Sequence, residues 1–230
     1  MADSLIKETV PDELLEIAGK LCKIKSLMDF NIVGGTALAL QMGHRKSEDI
    51  DLFYNSLEVS VDLSSILDDC RDIFKTVDVV SIYENRTLIT YIENIKVDFV
   101  VQRNSKMLDK PIVIQGLRLA SIRDIAAMKI MAVATTSNRI KDYVDIFYLL
   151  KQFSLETLFD LYFEKYNIGT VQTALDNLPY FYDVSQDEFD ALDFLDTAPS
   201  LKEVCGSLAQ EVKKYSEKVM RKEEKGIEKR

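Results

Sequence analysis

Asp49 and Asp51 stand one residue apart near the end of the stretch GGTALALQMGHRKSEDIDLFY, residues 34–54. The segment DIDLFY reads as a strand by its alternation of polar and apolar positions. Alternate residues of a strand face the same side, so the two carboxylates point together while Ile50 and Leu52 point into a core. Two carboxylates on one face repel each other unless a cation neutralises them. A hard divalent cation such as Mg²⁺ takes oxygen ligands and commonly shares its site with substrate phosphates. Asp98 lies in IKVDFVV, between apolar neighbours on a later strand, and a charge in such a strand needs compensation. If that strand runs beside DIDLFY, the carboxylates of Asp49, Asp51 and Asp98 converge as metal ligands. The competing reading is an exposed strand end carrying two solvated acids.

The residues before the acid pair have a chemistry of their own. FNIV, Gly34-Gly35 and TALAL read as strand, tight turn and helix. Gly34 and Gly35 allow a backbone to approach a ligand closely. The helix start offers free N–H groups and the positive end of a dipole, which suit phosphate, and Thr36 adds a hydroxyl. A phosphate cradle followed by an acid pair fits an NTP bound as its magnesium complex; a simple turn is the bland alternative. The loop before the acidic strand holds His44, Arg45, Lys46 and Ser47. Arg45 could fork to a phosphate, or the loop could be merely solvated. The single histidine excludes a histidine metal cluster, leaving His44 to packing or hydrogen bonding. The stretch is neither a Walker A loop nor a dinucleotide-binding G-x-G-x-x-G turn, which excludes P-loop and Rossmann redox functions.

Two helical segments bring further charges. In RDIAAMKIMAVA, Ile125, Ala126, Ile130 and Val133 form an apolar face, and Lys129 stands within that run. Its stem packs on a core with its head in water, or its ammonium meets nucleotide phosphates as a point charge. In KDYVDIFYLLK, Lys141, Asp142 and Asp145 share one helix face beside a wide apolar surface, the mark of a mostly buried helix. That polar stripe needs partners, either an internal salt-bridge set with Lys129 or Arg139 or a ligand pocket.

These residues must be positioned by two kinds of element. Residues 11–28 have helical spacing, 36–43 form a short helix capped by Gly43, and 61–74 form an amphipathic helix. TVDVVSIY, TLITYI and IKVDFVV make a three-stranded meander with short polar turns, and PIVIQGLRLA reads as one further strand. From Ser121 the period is helical to the end, with Ser121 and Asp124 as a capping box and Ser154 with Thr157 starting another helix. An α/β part, 1–115, thus precedes a helical part, 116–230. The chain has 230 residues and a formal net charge of -9, which excludes coating nucleic acid by bulk charge. The basic C-terminal stretch from Lys213 reads as a solvated helix end. Three dispersed cysteines read as reduced thiols. With no signal peptide at the N-terminus and no apolar run of membrane-spanning length, they point to the cytoplasm and away from a membrane.

GGTALALQMGHRKSEDIDLF resembles the AbiEii/AbiGii toxin-type nucleotidyltransferases of the DNA polymerase β nucleotidyltransferase superfamily, in which a GHR-x-S segment leads into the Asp-x-Asp strand. RDIAAMKIMAVATTSNRIKDYVDIFYLL is similar to the same family's helix lysine followed by Lys-Asp-x-x-Asp. The resemblance implies an α+β fold of the polymerase-β type, a small mixed sheet with helices followed by a helical half that completes the active-site cleft. It implies Mg²⁺ on Asp49, Asp51 and Asp98, with Asp98 activating the attacking hydroxyl. It assigns Gly35 and Thr36 to the triphosphate, and Lys129 and Asp142 to the residues that toxin-type members need; Gly34, Arg45, Ser47 and Lys129 join them as candidates for holding the nucleotide. The implied activity transfers an NMP from an NTP to an acceptor hydroxyl. The acceptor would be RNA, a tRNA 3′ end, in a toxin–antitoxin or phage-defence pair with a cognate antitoxin. A small-molecule or protein acceptor, or a non-catalytic nucleotide-binding protein on the same scaffold, remains open.

Overall fold

Alternating and helical apolar spacings resolve into strands and helices in the computed structural model, which describes residues 4–56, 61–84, 86–103, 105–136, 139–167, 170–179 and 185–227. The first elements are α1 (Asp12–Leu21), β1 (Asn31–Val33), α2 (Gly34–Met42), β2 (Ile50–Ser56) and α3 (Leu63–Ile73). They are followed by β3 (Val77–Tyr83), β4 (Thr87–Ile92), β5 (Ile95–Arg103), β6 (Ile112–Ile114) and β7 (Leu117–Leu119). Helices α4 (Ile122–Thr135), α5 (Ile140–Leu149), α6 (Leu155–Tyr166), α7 (Gln172–Asn177), α8 (Gln186–Asp190) and α9 (Leu201–Ile227) complete the chain.

The strands form one mixed sheet in the order β3-β4-β5-β2-β1-β7-β6. The meander expected from three alternating segments is antiparallel β3-β4-β5. Beyond it, β5 runs parallel to β2, β2 antiparallel to β1, and β1 parallel to β7. The stretch from Pro111 to Ala120, read as one strand, is a hairpin: Gln115 (φ 53°) and Gly116 (φ 82°) both take positive φ, the requirement of a tight two-residue turn. Ile50 and Leu52 are wholly buried, as are Leu38, Val97 and Leu119; the core of this part lies where α2 and the central strands meet. The helix expected over 11–28 stops at Leu21 and is followed by a short 3-10 turn, Lys25–Leu27. Arg118 closes this region by donating to the carbonyls of Phe30 at 3.2 Å and Leu27 at 2.7 Å, and to that of Cys22.

Two compact units are present. One comprises residues 1–125, 165–167 and 193–196; the other comprises 126–164, 168–192 and 197–230. In the first, Asp124 is a hub. Ser121 Oγ caps α4 by accepting from Asp124 N–H at 3.0 Å, as the capping pattern suggested. The Asp124 carboxylate instead accepts from the N–H groups of Leu108 and Asp109, from Ser121 Oγ and from Lys165 Nζ. In the second, Tyr143 Oη donates to the Asn177 carbonyl and Asn177 Nδ2 donates to the Val133 carbonyl, tying α4, α5 and α7 together. Up to Arg221, helix α9 shows the solvated pattern expected of its charges, with i,i+3 and i,i+4 pairs such as Lys214–Glu211 and Lys213–Glu217. Residues 228–230 of the basic stretch lie outside the described residues. No described helix is long and apolar enough to cross a membrane.

Candidate active site

The site begins with register. Parallel pairing of β2 and β5 sets Asp51 opposite Asp98, and antiparallel pairing of β1 and β2 sets Val33, the residue before the glycine pair, opposite Asp51. Residues opposite each other on neighbouring strands share a face, so the expected convergence of Asp51 and Asp98 follows from the order of the strands. Asp49 lies two residues before Asp51, just ahead of β2, and is half-buried.

The glycine turn is fitted to this arrangement. Gly34 has φ +66°, and a Cβ there would lie 2.1 Å from Asp51 Oδ2. A Cβ on Gly35 would lie 2.6 Å from Arg45 Nη2 and 3.2 Å from Ser47 Oγ. Helix α2 starts at Gly34, earlier than the apolar pattern showed, and its first two residues, lacking side chains, lie against the carboxylate on one side and the guanidinium on the other. Its first turn carries no acid, and the residue before it makes no side-chain cap, so the helix start retains the N–H groups and positive dipole end that attract phosphate.

Thr36, Ser47 and Arg45 are all buried. A 2.9 Å hydrogen bond joins the hydroxyls of Thr36 and Ser47, and Thr36 Oγ1 donates to the Asp49 carbonyl. These side chains tie the first turn of α2 to the segment that delivers Asp49. Arg45 donates to the Lys46 carbonyl at 2.8 Å; it lies beneath the glycine pair and not in a solvated loop, so it is not part of a surface basic patch. His44 is buried in the same segment.

Lys96, which residue spacing had not singled out, stands among the acids. It precedes Asp98 by two residues on β5 and shares its face, with Nζ 2.7 Å from Asp98 Oδ2. Burial, the largest single influence on Lys96, favours its neutral amine, but the hydrogen bond it donates to Asp98 and the charges of Asp98, Asp49 and Asp51 outweigh it and hold its pKa above the ordinary lysine value. The other Asp98 oxygen, Oδ1, is buried without a hydrogen-bond partner. Among the described residues no three acidic, histidine or cysteine side chains are gathered tightly around one point. The donor set nevertheless suits a hard divalent cation: carboxylate oxygens from neighbouring strands, one of them buried and unpaired.

In the helical unit, the Lys129 ammonium is 2.7 Å from Asp142 Oδ1 and 2.6 Å from Asp145 Oδ2, with side chains only 8%, 3% and 0% exposed respectively. The head is not in water; the polar stripe of α5 finds its partner in α4, the internal salt-bridge arrangement. Arg139 adds a longer contact, 3.6 Å, to Asp142. Lys141 is exposed and, with Arg139, Ile140, Glu188, Ala191 and Leu192, lines a cavity of about 480 Å³.

A family model for the nucleotidyl transferase AbiEii toxin of type IV toxin–antitoxin systems matches residues 28–223. The chain belongs to the AbiEii family. It is thus a nucleotidyltransferase, and the α+β fold is that of the polymerase-β-like nucleotidyltransferases. An uncharacterized protein from Aquifex aeolicus, aq_aa25, is 31% identical over 210 residues, 89% of this chain and 97% of that one. Two Helicobacter pylori crystal structures share the fold at a TM-score of 0.53. One, a candidate nucleotidyltransferase, is 18% identical and covers 92% of this chain and 98% of its own; the other, JHP933, is 17% identical and covers 94% and 97%. The family description brings with it an NTP substrate and a toxin–antitoxin setting, and nucleotidyltransferases of this kind generally use a divalent metal.

Proposed function

We propose that this AbiEii-family chain transfers a nucleoside monophosphate from a magnesium-bound NTP to an acceptor hydroxyl on RNA, the tRNA 3′ end, in the cytoplasm, and that a cognate antitoxin restrains it. The observation that carries the reading is the register of Asp51 with Asp98 beside a glycine turn into which Asp51 itself projects. Asp49, Asp51 and Asp98 would hold the divalent cation, whose bound charge would neutralise the triphosphate and the leaving pyrophosphate.

The chain's own residues do the remaining work. Gly34 and Gly35 leave the helix start open for the triphosphate, and Thr36, Ser47 and Arg45 fix that turn from below. Asp98 Oδ1, buried and unpaired, accepts the proton of the attacking hydroxyl. Catalysis is then mostly positioning and charge compensation. Lys129 and Asp142 are the further residues the reaction needs, as the resemblance implies. The RNA acceptor rests on that resemblance, and with a net charge of -9 it requires local basic groups; Lys141 and Arg139 beside their shared cavity are candidates.

The test is incubation of the chain with total bacterial tRNA and each α-labelled NTP in turn. Label should appear at the tRNA 3′ end only with a divalent cation present, and Asp51→Asn should abolish it while circular dichroism stays unchanged. Full transfer by Asp51→Asn would refute the site. Label on a small molecule or on protein would move the acceptor class, and cation-dependent NTP binding with no pyrophosphate release would mean a non-catalytic scaffold.

A further inference from the structure

Lys96 and Asp98 lie at i and i+2 of β5, on one face of the sheet, and Asp51 is the neighbour of Asp98 across β2. The ammonium sits 2.7 Å from Asp98 Oδ2, with side chains 34% and 17% exposed. Asp49 and Asp51 also act on it electrostatically. The Lys96 ammonium is thus the cation paired with Asp98, within the electrostatic reach of Asp49 and Asp51, and it takes one oxygen of Asp98 while the other has no hydrogen-bond partner.

We propose that Lys96 is a built-in counter-ion, occupying Asp98 until a divalent cation displaces it. The inference rests on reading Asp49, Asp51 and Asp98 as the metal ligands. An ammonium and a divalent cation held by one carboxylate repel each other, so a metal ion arriving at Asp98 weakens the hold of the Lys96 ammonium on Oδ2. Its flexible four-carbon stem, one third exposed, lets the head swing into water when the divalent ion arrives. The resident ammonium keeps the acids compatible in the metal-free protein and opposes the binding of free cation. It also gives the released ammonium a natural next partner, the phosphates of an incoming NTP, so the cation enters most readily together with its nucleotide.

Mn²⁺ binding to the full chain without nucleotide, read by electron paramagnetic resonance, tests this with Lys96→Gln, Lys96→Arg, Asp98→Asn and Asp51→Asn beside the natural chain. Lys96→Gln should tighten Mn²⁺ binding roughly two- to fivefold, the scale of one partly exposed ion pair. Lys96→Arg, which keeps the charge, should stay near the natural chain. In thermal melts Lys96→Gln should be less stable without cation and should recover on adding Mn²⁺, a cation-specific recovery that a purely structural lysine does not produce. Unchanged or weaker Mn²⁺ binding in Lys96→Gln overturns the proposal while leaving the metal site in place. If Asp98→Asn and Asp51→Asn bind Mn²⁺ like the natural chain, the metal reading itself fails, and the counter-ion proposal with it.

Discussion

The carboxylate of Asp51 occupies the place where a side chain on Gly34 would begin: a Cβ built there lies 2.1 Å from Oδ2 and 3.3 Å from the Asp51 Cβ. The glycine and the acid are therefore one structural unit, although sixteen residues of helix and loop separate them in the chain. Gly34→Ala meets two penalties. A left-handed backbone costs a non-glycine residue about 1–2 kcal/mol, and the clash with Asp51 adds to it, for a total of about 3 kcal/mol or more. In an Asp51→Ala background the clash is largely relieved and the backbone share remains. Urea denaturation of the four proteins of this double-mutant cycle measures the coupling. An equal cost of Gly34→Ala in both backgrounds would show that the contact is not what excludes a side chain.

The acids are expected to matter for transfer more than for folding. Asp98 pairs with Lys96 of the same strand at a partly exposed position, so Asp98→Asn should fold with a melting temperature close to that of the natural chain. Its transfer rate should fall by more than about a hundredfold, the scale of losing one positioned electrostatic group. Single-turnover kinetics with saturating NTP separate this from a loss of binding. A rate within a few-fold of the natural chain's would remove Asp98 from the reaction.

How far these features were legible depended on whether they were local. The meander, the acid pair and the inward-facing Ile50 and Leu52 follow from alternation alone, because a strand's two faces are written in its period. Asp98 stood out as a charge among apolar neighbours, and the strand order then placed it against Asp51. The turn at Gln115-Gly116 was missed because apolar residues on both sides let ten residues pass as one strand. The partners of charges were less accessible. Arg45 beneath Gly35, Lys165 at Asp124 and Lys96 at Asp98 are satisfied across the fold or by side-chain direction, and periodicity carries no information on which distant group neutralises a buried charge. Lys96 had a local signal after all, since a lysine two residues before an acid on a strand lies on the same face.

The start of α9 carries a pH dependence. Ser200 N–H and Oγ–H both donate to Glu203, each at 2.7 Å, and these bonds, the backbone one first, hold the Glu203 carboxyl below its ordinary value of 4.5. A depressed carboxylate contributes stability that is present above its unfolded pKa and is lost as pH falls through the folded value. Acidification from about pH 6 to below about pH 4 should therefore weaken the first turn of α9. Glu203→Gln, whose amide cannot ionise, should show a flatter profile over that range. Hydrogen exchange of the amides of residues 200–204 reads it directly, and identical profiles would remove the cap from the account.

The thiols should be ranked by environment. Burial, with a smaller push from the neighbouring Asp69 charge, raises the Cys70 thiol to about 12, and thiolate is the reactive form. Cys22 is buried, while Cys205 is only half-buried. In native protein at neutral pH an aromatic disulfide reagent should modify Cys205 first, with Cys70 reacting only on unfolding. Peptide mapping after brief labelling checks the order; early labelling of Cys70 would show that the packing around α3 opens readily.

Lys129, Asp142 and Asp145 combine one positive and two negative charges in a buried cluster, so variants here mix stability with activity unless chosen with care. Lys129→Met leaves two buried carboxylates without their shared cation and should cost about 3–5 kcal/mol, the scale of breaking a buried ion pair from one side. Loss of transfer in that variant would say little about catalysis. Asp142→Asn is the informative change: Lys129 keeps Asp145, the amide can still accept from the ammonium, and the loss should be about 1–2 kcal/mol. If Asp142 serves the reaction as the family resemblance implies, Asp142→Asn will fold, melt cooperatively and still fail to transfer. A variant that both folds and transfers at the natural rate would leave the carboxylate as a purely structural partner of Lys129.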